Sequence, residues 1–303
     1  MDFKNYLVPG KTGLLIGIGG VSMSPLAEVL HDAGLDIRGS DMAESSNTLT
    51  LRERGIPIHI GHSADNVTDD ISFVIRTAAV HDDNPEVHEA HRRGIPVFER
   101  TQAWGALMRG YQNALCISGT HGKTTTTSMC THIMMAAEKD PTVMIGGTLP
   151  LLKACHRVGK GNTIIMESCE YYNSFLALNP TIAVVLNIEA DHLDFFKDLE
   201  DIKHSFRCFA ERVPAETGAV IANYDDVNTM DALHGIARKV ITFGLNAKAD
   251  VYAQNIVHRG SVSEFDIYHR GNYFARVTLH VPGIHNVRNA LAATAAAIVL
   301  GVS

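Results

Sequence analysis

Residues 119–128, GTHGKTTTTS, constrain this chain more than any other stretch of its sequence. The apolar residues 114–118 before them predict a short buried strand, and residues 125–137 after them carry apolar side chains at helical spacing. A strand, a glycine-rich loop and a helix in that order are typical of a phosphate-binding turn, because the free N–H groups and the dipole of the helix start favour an anion. The fold class predicted here is therefore α/β.

Within this loop, Lys123 is placed to reach the β- and γ-phosphates of a nucleoside triphosphate, and the Thr124 hydroxyl to bind the accompanying Mg²⁺. The general phosphate-loop pattern expects glycine at position 117, where this chain has isoleucine. The loop is thus a shortened variant. The alternative is a glycine-rich turn that only begins a threonine-rich helix.

A second glycine-rich loop, GIGGVSMS at residues 17–24, follows a predicted strand near the start of the chain. Gly17 and Gly19 match the dinucleotide-binding fingerprint, Ser22 stands where its third glycine belongs, and Asp41 follows at the expected distance. Taken alone, this loop is compatible with NAD, with the diphosphate of another nucleotide, or with no ligand. A nicotinamide-dependent enzyme would have no use for the second, lysine-bearing loop.

Strands alternate with helices from the first loop onward, which predicts a parallel sheet in each of two domains. The predicted boundary lies at residues 109–113, giving an N-terminal Rossmann-like domain at 1–110 and a P-loop-type ATPase domain at 111–303. Alternating residues between 251 and 281 predict antiparallel strands, and residues 290–302 a buried alanine-rich helix.

Two polar clusters follow predicted strands of the second domain, ESCE at residues 167–170 and NIEADHLD at 187–194. Ligands of parallel sheets bind at the carboxyl ends of the strands, so both clusters should face the Lys123 loop. Glu167 offers the oxygen atoms that Mg²⁺ prefers, whereas the imidazole of His192 suits softer metals. From chemistry alone His192 is read as a polar residue at a helix start, and Glu170 as an acid near a helix N-cap.

Composition excludes several classes of protein. A net charge of -7 and a pI near 6.1 argue against general nucleic-acid binding. Five cysteines without a C-x-x-C pair indicate neither a disulfide framework nor a thiolate zinc site, which favours the cytoplasm. We expect no secretory signal and no membrane span, because the apolar runs at both ends are too short.

Together the motifs resemble the Mur ligases. The resemblance rests on both loops, on the two acidic clusters, and on GSD at 39–41, IGH at 60–62, DDNPE at 82–86 and GIHNVRNALAA at 283–293. Within the family it is greatest to the member that joins L-alanine to UDP-N-acetylmuramate. It implies an ATP- and Mg²⁺-dependent amide ligase of peptidoglycan synthesis, in which the lactyl carboxylate is activated as an acyl phosphate.

The resemblance also implies roles for individual residues. Lys123 and His121 would be catalytic, with His121 near the substrate carboxylate, and the metal would be held by Thr124, Glu167 and His192. The ATP-binding residues would be Gly119, Thr120, His121, Gly122, Lys123, Thr124, Thr125, Asn286 and Asn289. UDP would be held by Gly17, Gly19, Gly20, Ser22, Met23, Ser24, Asp41, His62 and Arg100, although Arg100 reads equally well as a solvated surface charge.

Two departures from the family pattern stand out. Cys169 occupies a position where many relatives have an acid, and the C-terminal domain that receives the amino acid in this family is absent from the 303 residues. We therefore expect a fragment that binds nucleotide and ligates weakly on its own. The alternative is a non-catalytic remnant that kept the nucleotide-binding loops.

Overall fold

The computed structural model describes residues 2–77 and 79–302. Met1, Ala78 and Ser303 lie outside the described residues, and with them the first residue of the predicted N-terminal domain and the last residue of the predicted ATPase domain. The chain divides into two compact units, Met1–Gly110 and Tyr111–Ser303. Each unit is built around its own sheet. No helix of the described residues is long and apolar enough to cross a bilayer.

The first unit is a five-stranded parallel sheet with strand order β3-β2-β1-β4-β5. Its central strand β1 is fully buried, and residues of β1 and β4 pack together in the core. The strands are β1 (Thr12–Ile16), β2 (Asp36–Asp41), β3 (Ile58–Ile60), β4 (Ile71–Arg76) and β5 (Val97–Glu99), and the helices are α1 (Ser24–Asp32), α2 (Ser46–Glu53), α3 (Pro85–Arg92) and α4 (Arg100–Met108).

Local sequence explains where these helices begin. Ser45 and Thr48 form a capping box at the start of α2. The Asn84 side chain accepts the N–H groups of Glu86 and Val87 at the start of α3, and proline occupies the first turn of both α1 and α3. The starts of α2 and α3 are thus encoded by a few residues at the boundary.

The second unit contains a ten-stranded sheet with strand order β15-β14-β13-β12-β11-β10-β6-β9-β7-β8. It is parallel from β13 to β7 and antiparallel at both edges. The strands are β6 (Asn113–Ser118), β7 (Thr142–Leu149), β8 (Ala154–Arg157), β9 (Thr163–Glu167), β10 (Ile182–Val185), β11 (Ala219–Asn223), β12 (Val240–Gly244), β13 (Val251–Arg259), β14 (Val262–His269) and β15 (Asn272–Leu279).

The helices of this unit are α5 (Lys123–Ala136), α6 (Leu199–Glu211), α7 (Val227–Ala232) and α8 (Ile284–Val299). Small buried alanines of α8 pack into the same core as side chains from β6, β10 and α5. Short 3₁₀ segments lie at Phe3–Tyr6 and Ala64–Asn66 in the first unit and at Tyr171–Ala177 in the second.

The predicted α/β class is confirmed, with a Rossmann-like first sheet and a second unit of the P-loop ATPase type. Two helices begin earlier than predicted. The helix expected from residue 125 starts at Lys123, which places Lys123 and Thr124 in its first turn, and the helix expected from residue 290 starts at Ile284. The predicted antiparallel strands are present, and they extend the same sheet.

Candidate functional site

The loop between β6 and α5 requires glycine at two positions. Gly119 has φ +143° and Gly122 has φ +87°, conformations that L-residues with side chains rarely adopt. A Cβ added at Gly119 would lie 2.8 Å from the Cβ of Leu186, and one at Gly122 would lie 2.7 Å from Oδ1 of Asn289. The glycines therefore bring the main chain close to β10 and α8, where a side chain would not fit.

The same loop is fixed from the end of β10 by Asn187. The N–H of Thr120 donates to the Asn187 carbonyl at 3.0 Å, and the N–H of His121 donates to Asn187 Oδ1 at 2.7 Å. Asn187 Nδ2 returns a hydrogen bond to the His121 carbonyl at 3.0 Å. Asn187 is not among the predicted site residues, although it is the first residue of the NIEADHLD cluster, which was a usable signal.

The start of α5 is open to a ligand. Its N-cap residue is Gly122, so no side chain caps the first-turn N–H groups, and Lys123, Thr124 and Thr125 are exposed or half-buried. The helix dipole adds partial positive charge at this point. The arrangement favours an anion.

The ammonium of Lys123 is held by its own loop and by a buried acid. Nζ donates to the carbonyls of Gly119 at 2.6 Å and Thr120 at 3.2 Å, and to both carboxylate oxygens of Glu170 at 3.0 and 3.2 Å. The Glu170 side chain is only 3% exposed. The predicted place near a helix N-cap is confirmed, since Glu170 is the N-cap residue of Tyr171–Ala177, but its carboxylate makes no capping bond there and pairs with Lys123 instead.

Thr124 and Glu167 meet beside the exposed start of α5. The Thr124 hydroxyl donates to Glu167 Oε1 at 3.1 Å, and the N–H of Gly146 donates to Glu167 Oε2 at 2.7 Å. A hydroxyl next to a carboxylate is a donor set that fits Mg²⁺, which keeps several waters and takes its other oxygens from a bound phosphate. Within residues 2–77 and 79–302, no three His, Cys, Asp or Glu side chains could hold a metal by themselves.

His192 lies beside Glu170. Its Nε2 is 3.9 Å from Glu170 Oε1 and 3.9 Å from Asp191 Oδ2, and its ring stacks on Tyr171 with centroids 4.3 Å apart. The interpretation as a helix-start residue was wrong, since His192 has φ +52° in a turn and the next helix begins at Leu199. The hydrogen bond from Tyr171 to the Asp194 carboxylate raises the pKa of Tyr171 well above its ordinary value.

Cys169 lies between the two acids of the ESCE cluster. Desolvation raises the pKa of its thiol above the ordinary value. The thiol is therefore neutral at pH 7. This part of the site carries two carboxylates, Glu167 and Glu170, where an acid at position 169 would add a third.

A cavity of about 380 Å³ adjoins the β6–α5 loop. Its lining combines the loop with residues that follow β10 and β11 and with the first turns of α8: His121, Gly122, Leu186, Asn187, Glu189, Asn223, Asp225, Asp226, Phe243, His285, Arg288 and Asn289. Asn286 donates to the Pro282 carbonyl at 2.7 Å and accepts from Asn289 Nδ2 at 3.2 Å, so it orients Asn289. The His121 side chain is 66% exposed, and its Nε2 lies 3.5 Å from Glu189 Oε2.

In the first unit, five of the predicted UDP residues line a larger cavity of about 680 Å³: Gly17, Gly19, Gly20, Asp41 and His62. The N–H of Gly19 donates to Asp41 Oδ2 at 2.8 Å. Gly17 has φ +77°. The hydrogen bond from Gly19 thus holds the Gly17–Ser24 loop next to the Asp41 carboxylate.

The remaining predicted UDP residues lie at the start of α1 and of α4. The Met23 and Ser24 side chains are buried, at 1% and 2% exposure, and both N–H groups donate to the Gly20 carbonyl. The Arg100 guanidinium donates to the Ser22 hydroxyl. Arg100 is thus tied to the loop and is not an isolated charge in solvent.

Comparison with known families decides what kind of protein carries these features. A profile of the Mur ligase middle domain matches residues 117–297, more than half of the chain, and a profile of the Mur ligase family catalytic domain matches residues 15–112. The chain belongs to the Mur ligase family. The family resemblance inferred from the motifs is confirmed.

Similar proteins give the same result. This Mur ligase chain is 46% identical over 288 residues to UDP-N-acetylmuramate–L-alanine ligase of Agathobacter rectalis, covering 95% of the chain and 62% of that relative. Its identity to the enzyme of the same name from Clostridium novyi is 44% over 302 residues, covering all of the chain and 65% of the relative. The chain thus spans less than two thirds of the length of these relatives.

Solved structures extend the likeness to the fold. The crystal structure of UDP-N-acetylmuramate-alanine ligase from Thermotoga maritima matches with a TM-score of 0.80 and 30% identity, covering 96% of this Mur ligase chain and 66% of that one. A ligase of UDP-N-acetylmuramate and L-alanyl-γ-D-glutamyl-meso-diaminopimelate from Neisseria meningitides matches with a TM-score of 0.86 and 26% identity, covering 97% and 94%.

Proposed function

We propose that the second unit binds ATP with Mg²⁺ at the start of α5. The observation that carries this proposal is the juxtaposition of Lys123 with an uncapped helix start and with the Thr124–Glu167 oxygen pair. A polyanion needs cations and N–H donors at the same place, and this loop supplies both.

In this proposal the γ-phosphate lies against Lys123 and the first-turn N–H groups of α5. Thr124 and Glu167 would hold the metal ion, and His192 would contribute from the Glu170 side. Bound there, Mg²⁺ would neutralise charge on the phosphates. Lys123 neutralises negative charge on the transferred group, which lowers the barrier because that charge is spread over its oxygens in the transition state.

The cavity of about 380 Å³ would hold the adenosine of ATP. Asn289 lines it, and its amide offers both a donor and an acceptor to a purine, while Asn286 keeps that amide in one orientation. The backbone of residues 119–125 would hold the phosphates that follow.

The first unit would bind UDP-N-acetylmuramate in its cavity of about 680 Å³. Gly17, Gly19 and Gly20 would let the diphosphate approach the main chain, and Asp41 would accept hydrogen bonds from ribose hydroxyls. Ser22, Met23, Ser24 and Arg100 would complete the loop, with Arg100 the residue suited to fork onto an anionic oxygen pair.

The complete reaction that we propose joins L-alanine to UDP-N-acetylmuramate. The γ-phosphoryl group passes from ATP to a lactyl carboxylate oxygen, giving an acyl phosphate and ADP. The alanine amine then attacks the carbonyl carbon, phosphate leaves, and the amine loses a proton as the amide forms. His121, exposed at the tip of the loop, would lie near this carboxylate. The names of the relatives and the match of both units support the assignment.

We also propose a cytoplasmic location. The proposed reaction consumes ATP, and the five cysteines of the chain are free, as is typical of proteins in a reducing compartment.

Thermal-shift titration and phosphate release test the two halves separately. We expect Mg-ATP and UDP-N-acetylmuramate each to raise the melting temperature, because ligands that bind the native state stabilise it. Alanine-dependent phosphate release, which we expect to be slow for these 303 residues, would establish the ligase. Stabilisation by both ligands without any phosphate release would favour a non-catalytic nucleotide-binding protein. Failure of Mg-ATP to stabilise the chain would overturn the ATP site.

A further inference from the structure

Glu86 is a completely buried carboxylate whose role is unassigned. It belongs to the DDNPE motif at residues 82–86 and lies in the first turn of α3. Its side chain is 0% exposed. Burial of an acid is unfavourable unless hydrogen bonds satisfy it, so its partners define what it does.

Three donors surround this carboxylate. Oε2 accepts from the Ser40 hydroxyl at 2.8 Å and lies 2.8 Å from Nδ1 of His62, and Oε1 accepts from Asn66 Nδ2 at 2.6 Å. An ionised carboxylate can only accept hydrogen bonds. With Glu86 ionised, Nδ1 of His62 makes its contact as an N–H donor.

The contact at Nδ1 determines whether Nε2, on the other side of the imidazole ring, donates or accepts a hydrogen bond. In a neutral ring with a proton on Nδ1, Nε2 is an acceptor. His62 is 12% exposed at its side chain and lines the first-unit cavity together with Gly19 and Asp41. Ring orientation and tautomer are both set by a group outside that cavity, as with carboxylate–histidine pairs in other sites.

We propose that Glu86 is a positioning residue, which holds His62 in the Nδ1–H tautomer so that Nε2 accepts a hydrogen bond from a uridine nucleotide. The nucleotide's hydroxyls and its imide N–H are the donors of matching chemistry. This inference rests on the proposed UDP site of the first unit. It adds a residue that determines which nitrogen of His62 faces the cavity as an acceptor. His62 and His81 are the histidines that line this cavity among the described residues.

The tautomer is measured directly by long-range ¹H–¹⁵N NMR of histidine-labelled protein at pH 8, with the His62 signals identified by their loss in His62→Asn. We expect the Nδ1–H form in the wild-type chain, and a rise of the Nε2–H form in Glu86→Gln, whose amide can donate to Nδ1. A wild-type His62 in the Nε2–H form or as imidazolium would overturn the proposal. The wild-type measurement decides the tautomer without a ligand, and it does so even if the Glu86→Gln variant does not fold.

Binding of UDP-N-acetylmuramate, measured by calorimetry, tests the consequence. We expect Glu86→Gln to weaken binding about tenfold, and to have no further effect in a His62→Ala background, because Glu86 acts through His62. Glu89→Gln on the same helix is the matched control, since Glu89 pairs with Arg92 and Arg93, and should leave affinity unchanged. Equal weakening by Glu86→Gln with and without His62 would contradict the proposal. A wild-type chain that shows the Nδ1–H tautomer but binds no UDP ligand would instead refute the proposed function of the first unit.

Discussion

The two glycine-rich loops share a strand–loop–helix order but differ in charge and access. The β1–α1 loop donates the Gly19 N–H to the Asp41 carboxylate, and α1 begins with buried residues whose N–H groups are bonded within the loop. The β6–α5 loop carries an ammonium, and α5 begins with exposed or half-buried residues. Glycines make either loop compatible with a phosphate; the neighbouring charge and the open helix start distinguish the proposed triphosphate site.

Buried acids serve different purposes in the two units. Glu170 pairs with the cation of the second loop, whereas Glu86 contacts Nδ1 of His62 at the edge of the first cavity. We infer that a buried acid in each unit sets the position of the group that would face the proposed ligand. Four substitutions test it, two through ligand binding and two through stability, with the larger expected effect first within each kind.

Replacing Lys123 by alanine should weaken Mg-ATP binding about 10–100-fold, because hydrogen bonds to a charged donor are among the stronger polar contacts. Calorimetry on the purified chain measures this. Lys139→Ala, at an exposed position beyond the same helix, is the control and should bind normally. Equal affinity of the Lys123 variant and the wild type would remove Lys123 from the site.

Replacing Gly119 by alanine should destabilise the second unit by about 2–5 kcal/mol, since strain at positive φ adds to overpacking against Leu186. Gly235→Ala is the matched control. Its φ is +68°, and no described residue lies within 4 Å of the added Cβ, so we expect only the cost of backbone strain, about 1–2 kcal/mol. Chemical denaturation gives both values. A loss for Gly119→Ala no larger than that for Gly235→Ala would contradict the close approach to β10.

Replacing Glu170 by glutamine should lower the free energy of unfolding by about 1–3 kcal/mol, because the ammonium of Lys123 loses its buried counter-charge but keeps two carbonyl acceptors. Glu189→Gln, at an acid whose side chain is 58% exposed, should change stability little. Similar denaturation midpoints for both variants would show that Glu170 does not hold Lys123.

Replacing Asp41 by asparagine should raise the affinity of the first unit for pyrophosphate a few-fold, because a negative charge next to the Gly19 N–H is removed. Titration followed by NMR at the amides of Gly17 and Gly19 reports on this loop alone. Weaker pyrophosphate binding by the variant would show that Asp41 does not set the difference between the loops.

The sequence predicted the parts of the site that follow from chain order. The ESCE and NIEADHLD clusters meet the Lys123 loop, as expected, because β9 and β10 flank β6 in a parallel sheet. The contacts of Lys123 with Glu170 and of Asn187 with the loop were not predictable in the same way. They depend on where side chains turn after their strands end, and neither periodicity nor spacing encodes that direction.

The site in the first unit was less predictable still. Gly17, Gly19 and Asp41 stand out by their spacing, but Met23 and Ser24 belong to the same motif and are buried. Glu86 reaches His62 across 24 residues, a contact made only once the sheet has formed. Family resemblance supplied His62, and only the structure supplied the acid that holds it.

A crystal structure of the chain with a non-hydrolysable ATP analogue and Mg²⁺ tests the central claim most directly. The account predicts the γ-phosphate within hydrogen-bond distance of Lys123 Nζ and of first-turn N–H groups of α5, with the metal ion at Thr124 and Glu167. A triphosphate bound instead at the Gly17–Gly20 loop, with the start of α5 empty, would contradict it.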